Sequence, residues 1–381
     1  EDLAYLARFI WVAPLDYKMW SVYGLLVLLV GVFTFLMAHT RVSKEASLLL
    51  LVFFFVGFYF QGSNEDDSFW RVSGDKKVDS QLSTFLSGRN SPFFVRFDSE
   101  GKSLDEYVGS AASDEWRSDL ESGQIGDRLL LIVNESWGVA HNPEVQNFIV
   151  NMMREVPAVE FSMGELPFVG ATVAAELREL CRLHPKNFSF HQDYEELKQC
   201  FPAMLSKQGY QTVGMHGATG MMYDRKDWYG EAGFFKDMFF ENMLGARRCF
   251  SFPGACDIDL RDHVADYFSD TGKRFFYWLT LNTHSSYDLR DLDKDVFSCA
   301  EFGIAEETES CRNAKLQAQF FAGLQELLSM PQMAGVDVIV VGDHEPRFVD
   351  RVESGIYFSV GKVPWIRIRV KPALNAELVS K

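Results

Sequence analysis

The stretch Arg128–Gly138, RLLLIVNESWG, constrains the fold more than any other part of the chain. Five consecutive apolar residues, Leu129 to Val133, are too few for a core helix and fit a strand buried on both faces of a parallel sheet. The run breaks at Asn134-Glu135-Ser136-Trp137-Gly138, so a carboxylate sits where the strand's carboxyl end meets the next loop. In open α/β sheets that edge is where ligands bind. Val336–Val341 has the same grammar and runs straight into Gly342-Asp343-His344-Glu345. If the two strands are neighbours in one sheet, their potential metal ligands converge on one site, and we expect that they do.

From Arg128 onward, strand and helix signals alternate. Helices are expected near Pro143–Glu155, over Thr172–Leu183, Glu195–Gln208, Leu260–Ser269 and Ala314–Leu328. Strands are expected at Ala158–Ser162, Gln211–His216, Arg274–Asn282, Ile356–Val360 and Trp365–Val370. Such alternation predicts an α/β fold, a mostly parallel sheet sandwiched by helices.

The amino-terminal part reads differently. Leu3–Val12 is amphipathic and suited to a membrane interface. Met19–Ala38 is free of charge over a length that spans a bilayer, and Ala46–Phe60, extended by uncharged residues to Asn64, forms a second apolar run. Arg41 and Lys44 lie between the runs and Glu65-Asp66-Asp67 follow them, which predicts a cytoplasmic connector and an extracytoplasmic remainder. Residues 1–64 are thus expected to be a membrane anchor whose transmembrane helices precede the α/β domain. Residues 65–127 are expected as a juxtamembrane linker lying against that domain, and 128–381 as the extracytoplasmic domain itself. The first residue is Glu1, so we expect the natural chain to be longer at its amino end.

A formal charge of −16 argues against a nucleic-acid surface, which needs a basic footprint. All six cysteines lie beyond residue 180 and none forms a C-x-x-C pair, which argues against a thiolate zinc site and fits disulfides in an oxidising compartment. Spacing does not fix connectivity. Pairing of sequence neighbours (181–200, 249–256, 299–311) is the expectation, with six buried thiols as the alternative.

Glu135, Asp343 and His344 offer two carboxylates and an imidazole, a set suited to Zn²⁺ or Mn²⁺. Thr172 stands at the expected amino terminus of a helix, just after Gly170. There the helix dipole and free N–H groups favour phosphate and alkoxide alike. On position alone, an ordinary N-cap explains Thr172 as well, and each remaining residue has an equally plain reading as a solvated loop group.

Taken in order, NESWG, GATVAAELREL, MMYDR, TLNTHSSYD and VVGDHE resemble the alkaline phosphatase/sulfatase superfamily, and more narrowly its membrane-anchored lipoteichoic acid synthase and phosphoglycerol transferase branch. The similarity runs from about Arg128 to the carboxyl end. It implies that Glu135, Thr172, Asp343 and His344 bind one Mn²⁺ or Zn²⁺ (Mg²⁺ being possible), and that Thr172 is the nucleophile that becomes phosphorylated. It further implies that Tyr223, Arg225, His284 and His216 face the substrate phosphate. By the same resemblance the donor is a phospholipid, phosphatidylglycerol first, and the acceptor an envelope glycan, at the bacterial inner (plasma) membrane with the catalytic domain periplasmic or extracellular. Two departures stand out: Tyr223 replaces the branch's usual Trp, and GDHEPRF leaves Glu345 and Arg347 without a role. The formylglycine signature of sulfate ester hydrolases is absent around Thr172. A phosphoethanolamine transferase, a phosphodiesterase or phosphatase, and a non-catalytic scaffold on the same fold are the alternatives.

Overall fold

The computed structural model describes residues 104–372, save 189, 191–193, 244, 349 and 350, together with isolated positions 24, 27, 28, 31 and 32. The expected membrane anchor falls almost wholly outside the described residues. Among those that are described, no helix is long and apolar enough to cross a membrane.

In chain order the elements are β1 (Leu104–Glu106), α1 (Asp114–Ser122), β2 (Arg128–Asn134), α2 (Pro143–Arg154), β3 (Ala158–Pro167), α3 (Thr172–Cys181) and β4 (Leu183–Pro185). There follow α4 (Phe201–Lys207), β5 (Gln211–His216), α5 (Arg225–Glu231), β6 (Lys236–Met238), β7 (Arg248–Cys249), β8 (Gly254–Ala255) and α6 (Asp257–Tyr267). The last five are β9 (Arg274–Leu279), α7 (Glu309–Leu328), β10 (Asp337–Gly342), α8 (Arg351–Tyr357) and β11 (Lys362–Val370).

The central sheet runs β3-β11-β10-β2-β9-β5-β6. From β10 to β6 every pairing is parallel, while β11 is antiparallel to both of its neighbours. The expected mostly parallel sheet is therefore present, with one strand reversed near its edge. Alternation along each strand sends side chains to opposite faces. Leu130 and Ile132 of β2, Phe276 and Trp278 of β9, and Val338 and Val340 of β10 pack with Ile149 and Met153 of α2, Leu260 and Val264 of α6, and Phe321, Leu324 and Leu328 of α7. On the opposite face Phe275 and Tyr277 meet Phe201 of α4 and Tyr229 of α5. Helices thus cover both faces, as a strand apolar on both sides requires.

Local chemistry explains several boundaries. Asn142 caps α2 by accepting from Glu144 N–H at 3.0 Å, with Pro143 in the first turn, and Thr308 caps α7 by accepting from Cys311 N–H at 3.2 Å. Residues 104–127 build into the domain. β1 pairs antiparallel with β4, Trp116 stacks 6.2 Å from Phe201, and Ser113 Oγ donates to Glu179 O at 2.7 Å.

Two expectations are corrected. The helix expected over Glu195–Gln208 breaks at Cys200 (φ −63°, ψ 153°) into a 3₁₀ turn, Glu195–Gln199, and α4. Pro202 cannot donate to a preceding turn, so the helix restarts there. Ile356–Val360, expected as a strand, is instead the end of α8 followed by a single bridge between Phe358 and Ala140. Only Phe358 of its apolar residues is well buried, whereas Ile356 and Val360 are 56% and 69% exposed, so no continuous strand face forms. The cysteines pair as sequence neighbours: 181–200, 249–256 and 299–311.

Asp257, the first residue of α6, ties that helix to the loop leaving β9. Its Oδ2 accepts from Leu281 N–H at 2.8 Å and Asn282 N–H at 2.7 Å, while its own N–H donates to Asn282 Oδ1. Burial pushes its carboxyl up to about 7. An unfolded aspartate titrates near 3.9. Between these values the folded state holds a proton that the unfolded chain has lost, so this group's contribution to stability falls as pH rises from about 4 to about 7. Asp257→Asn is therefore expected to gain on the wild type across that window, by a few kcal/mol at most, as read from urea unfolding at pH 4.5 and 7.5. A difference that does not change with pH would contradict this.

Candidate active site

β2 and β10 are parallel neighbours, with Val341 opposite Val133 and Gly342 opposite Asn134. Asp343 N–H extends the ladder by donating to Asn134 O at 3.1 Å. Glu135 and Asp343 are thus the first residues past two adjacent carboxyl ends. Gly342 makes this possible, because a Cβ there would collide with the Trp137 carbonyl oxygen as the loop after β2 folds back over β10.

Glu135, Asp343 and His344 are all buried, and one potential ligand atom from each lies within 4.8 Å of the others. Asp343 Oδ1 accepts from the backbone N–H of Ser136 at 2.7 Å and of His344 at 2.6 Å, whereas its Oδ2 is buried with no hydrogen-bond donor. His344 Nδ1 lies 2.9 Å from Glu345 O, which makes Nδ1 the donor and leaves a lone pair on Nε2. That Nε2 is 3.2 Å from Asp343 Oδ2 and 3.6 Å from Glu135 Oε1. Three groups with lone pairs, two carboxylates and an imidazole nitrogen, face one another across this space. Such a group could hold a divalent cation, and the Nδ1 contact fixes the imidazole ring with Nε2 turned to the two carboxylates. Without a cation, burial and then the charge of Asp343 push Glu135 well above the carboxylate range, and burial pulls His344 down to about 4. Two other clusters, around Cys249–Cys256 and Cys299–Cys311, have their sulfurs in disulfides and offer no thiolate.

Thr172 is half-buried at the first turn of α3. The capping position belongs to Ala171, which has no side-chain cap, and Thr172 Oγ1 instead donates to Glu135 Oε2 at 3.3 Å. The helix therefore aims the hydroxyl at the Glu-Asp-His cluster and not at its own backbone.

Polar contacts beneath the site fix Glu135. Its N–H donates to Thr280 Oγ1 at 2.9 Å, and its carbonyl accepts from Gln317 Nε2 at 2.9 Å and Thr283 Oγ1 at 2.5 Å. Asn134 closes the set, accepting from Thr280 Oγ1 at 2.9 Å and donating to Gln317 Oε1 at 2.7 Å. Threonines and glutamines in these roles carry no signal in a single sequence.

His216 is buried at the end of β5, its Nδ1 3.1 Å from Leu279 O, and His284 is half-buried with its ring centroid 4.6 Å from that of Phe252. Burial lowers His216 well below the ordinary histidine value, with the charges of Arg225 and His284 adding to the effect. His284 likewise adds to the lowering of His344, so both histidines lie within electrostatic reach of the cluster. Tyr223 (φ 55°) is buried and pushed up to about 12, first by burial, with Arg225, Arg347, Glu135 and Glu176 among its charged neighbours.

Arg225 is turned onto Glu176. Its Nε and Nη2 donate to Glu176 Oε2 at 2.8 and 2.7 Å, and Nη1 donates to Met222 O at 3.2 Å. Tyr229 and Tyr277 donate to Glu176 Oε1 at 2.6 and 3.2 Å. Burial alone would lower Arg225, but the Glu176 carboxylate outweighs it and the net direction is upward. Glu176 was not singled out from the sequence, although its place one helical turn after Thr172 put it on the same face of α3. Both partners are almost fully buried, so Glu176→Ala would leave a buried guanidinium without its counter-charge, at a cost of about 3–5 kcal/mol. Glu176→Gln is expected to lose less, because it keeps an acceptor. Chemical denaturation of the two variants checks this, and an equal, small loss in both would refute the ion pair's role.

With this geometry in place, comparison with known proteins adds three findings. No curated protein matches the chain. Among solved structures it is similar to the lipoteichoic acid synthase LtaP from Listeria monocytogenes, at 14% identity over 65% of this chain and 66% of that one, just under two thirds, with a TM-score of 0.47. It is also similar to the Streptococcus pyogenes phosphoglycerol transferase GacH in complex with sn-glycerol-1-phosphate (15% identity, 70% and 77% coverage, TM-score 0.43). A third is the C-terminal periplasmic domain of EptC from Escherichia coli in complex with Zn (12%, 70% and 76%, TM-score 0.42). The Sulfatase family model matches residues 130–323, just over half of the chain, a span that includes Glu135, Thr172, Arg225 and His284 and stops short of Asp343 and His344. The chain belongs to the sulfatase family, within the alkaline phosphatase/sulfatase superfamily.

Proposed function

We propose that the protein transfers a phosphoglycerol-type group from a phospholipid headgroup to a glycan hydroxyl, through a phosphothreonine at Thr172. The observation that carries this reading is the placement of a helix-terminal hydroxyl 3.3 Å from a carboxylate of a buried Glu-Asp-His cluster. Glu135, Thr172, Asp343 and His344 would hold one divalent cation, Mn²⁺ or Zn²⁺. When bound, such an ion lowers the pKa of a hydroxyl it touches and neutralises charge on a phosphate oxygen.

The chain's own residues do the rest. Thr172 Oγ, aligned by α3, attacks phosphorus and its proton leaves to solvent. As the Oγ–P bond forms, the P–O bond to diacylglycerol breaks, and the departing oxygen takes a proton from His284. In the second half an acceptor hydroxyl attacks the same phosphorus, its proton passes to His284, and Thr172 Oγ departs and is reprotonated by solvent. Phosphoryl transfer of this kind is governed by positioning and charge stabilisation. Tyr223, Arg225 and His216 form the wall beside the phosphate, and the helix amino terminus favours its negative charge. Phosphatidylglycerol is the favoured donor and an envelope glycan the acceptor. The three disulfides support an oxidising, periplasmic setting for the domain, at the inner membrane where the donor lies.

The test is intact mass of the full-length protein in detergent, with metal and without acceptor, after separate incubation with phosphatidylglycerol and with phosphatidylethanolamine. A glycerophosphate adduct on wild type that is absent from Thr172→Ala is expected, together with a fall in turnover of at least about a thousandfold in a variant that remains folded. A phosphoethanolamine adduct would move the assignment to the ethanolamine branch. A folded Thr172→Ala protein with full activity would overturn the nucleophile.

A further inference from the structure

We propose that Arg347 supplies the unneutralised positive charge that captures the substrate's phosphate group. The inference rests on the phosphotransfer reading above, and concerns a residue that the motif resemblance leaves without a role.

Two arginines border the site, and they differ in kind. Arg225 is 1% exposed and spends three of its five N–H donors on Glu176 and Met222, so its charge is balanced within the protein. Arg347 is exposed, and among the described residues no carboxylate pairs with it. Among the described residues its side chain makes one hydrogen bond, from Nη2 to Gly170 O at 2.7 Å. A backbone carbonyl orients a guanidinium without cancelling its charge, and Gly170 lies two residues before the nucleophile. The tether therefore holds a full positive charge at the mouth of the site, beside Thr172.

The backbone of Arg347 is equally well held. Its N–H donates to Tyr287 Oη at 3.0 Å, and that hydroxyl donates back to Arg347 O at 3.0 Å. Tyr287 is fully buried and packs edge-on against Phe348, 5.4 Å between centroids. One short loop after β10 thus delivers two ligand residues, Asp343 and His344, and three positions later a cation facing the same space. A planar guanidinium suits two phosphate oxygens at once, which a lysine ammonium does not. The chemical class it selects is a phosphate mono- or diester carrying at least one non-bridging negative oxygen.

The experiment uses the full-length chain in detergent, loaded with Mn²⁺, as wild type, Arg347→Gln and Arg347→Lys. Metal content is measured first, then affinity for sn-glycerol 1-phosphate and for inorganic phosphate by calorimetry at two salt concentrations. Arg347→Gln is expected to keep its metal and fold, to bind both probes about 10- to 100-fold more weakly, and to show a smaller salt dependence. Arg347→Lys should recover part of the loss. Affinity within threefold of wild type in Arg347→Gln would overturn the proposal while leaving the phosphotransfer reading intact. Metal lost together with affinity would show that Arg347 only braces the ligand loop, and would overturn it too. A metal-loaded wild type that binds neither probe would overturn both readings.

Discussion

The parallel pairing of β2 with β10 is the interaction on which the site depends. Register in a sheet is absolute, because a slip of one residue sends every side chain to the other face. Here a slip would move Leu130, Ile132, Val338 and Val340 from the face packed against α2, α6 and α7 to the opposite face, equally buried but packed by different partners. The apolar core thereby fixes, to one residue, where Glu135 and Asp343 emerge. Gly342 then lets the loop after β2 come close enough for Ser136 N–H to bind Asp343 Oδ1 at 2.7 Å. Fold energy and site geometry are set by the same pairing.

Around that pairing the protein keeps a buried polar framework that an apolar core would not need. Asn134, Thr280 and Gln317 form a hydrogen-bonded set beneath Glu135, and Glu176 with Arg225, Tyr229 and Tyr277 forms another between α3, α5 and β9. Buried polar groups are costly when unmatched and rigid when matched. Asp343 Oδ2 is the exception that points outward from this framework: one lobe of the carboxylate is held by two N–H groups, and the other has no donor. A site whose first-sphere groups are braced and whose lone pairs converge is organised for a cation before one arrives.

Much of this was legible in the sequence, and the parts that were not have physical reasons. The runs Leu129–Val133 and Val336–Val341 were readable because strands buried on both faces need uninterrupted apolar residues, and each led into a carboxylate of the cluster. Thr172 was readable as a helix start, although only the structure shows that its hydroxyl turns to Glu135 and leaves the capping position to Ala171. Ile356–Val360 misled because β-branched and aromatic residues mark packing as much as strand, and three-dimensional context left two of its residues exposed. Glu195–Gln208 misled because a helical pattern ran through Pro202. Glu176 and Arg347 escaped for a different reason: a single sequence does not show that Glu176 meets Arg225, or that Arg347 reaches the Gly170 carbonyl.

Whether the carboxyl ends of β2 and β10 form a cation site is decided by calorimetric titration of Mn²⁺ and Zn²⁺ into chelator-stripped protein, with Asp343→Asn as the comparison. One ion per chain in the wild type is expected, with affinity reduced by at least about 100-fold in Asp343→Asn, in the range seen when a coordinating sphere is disturbed. Equal stoichiometry and affinity in the two proteins would place any bound ion elsewhere and contradict the site.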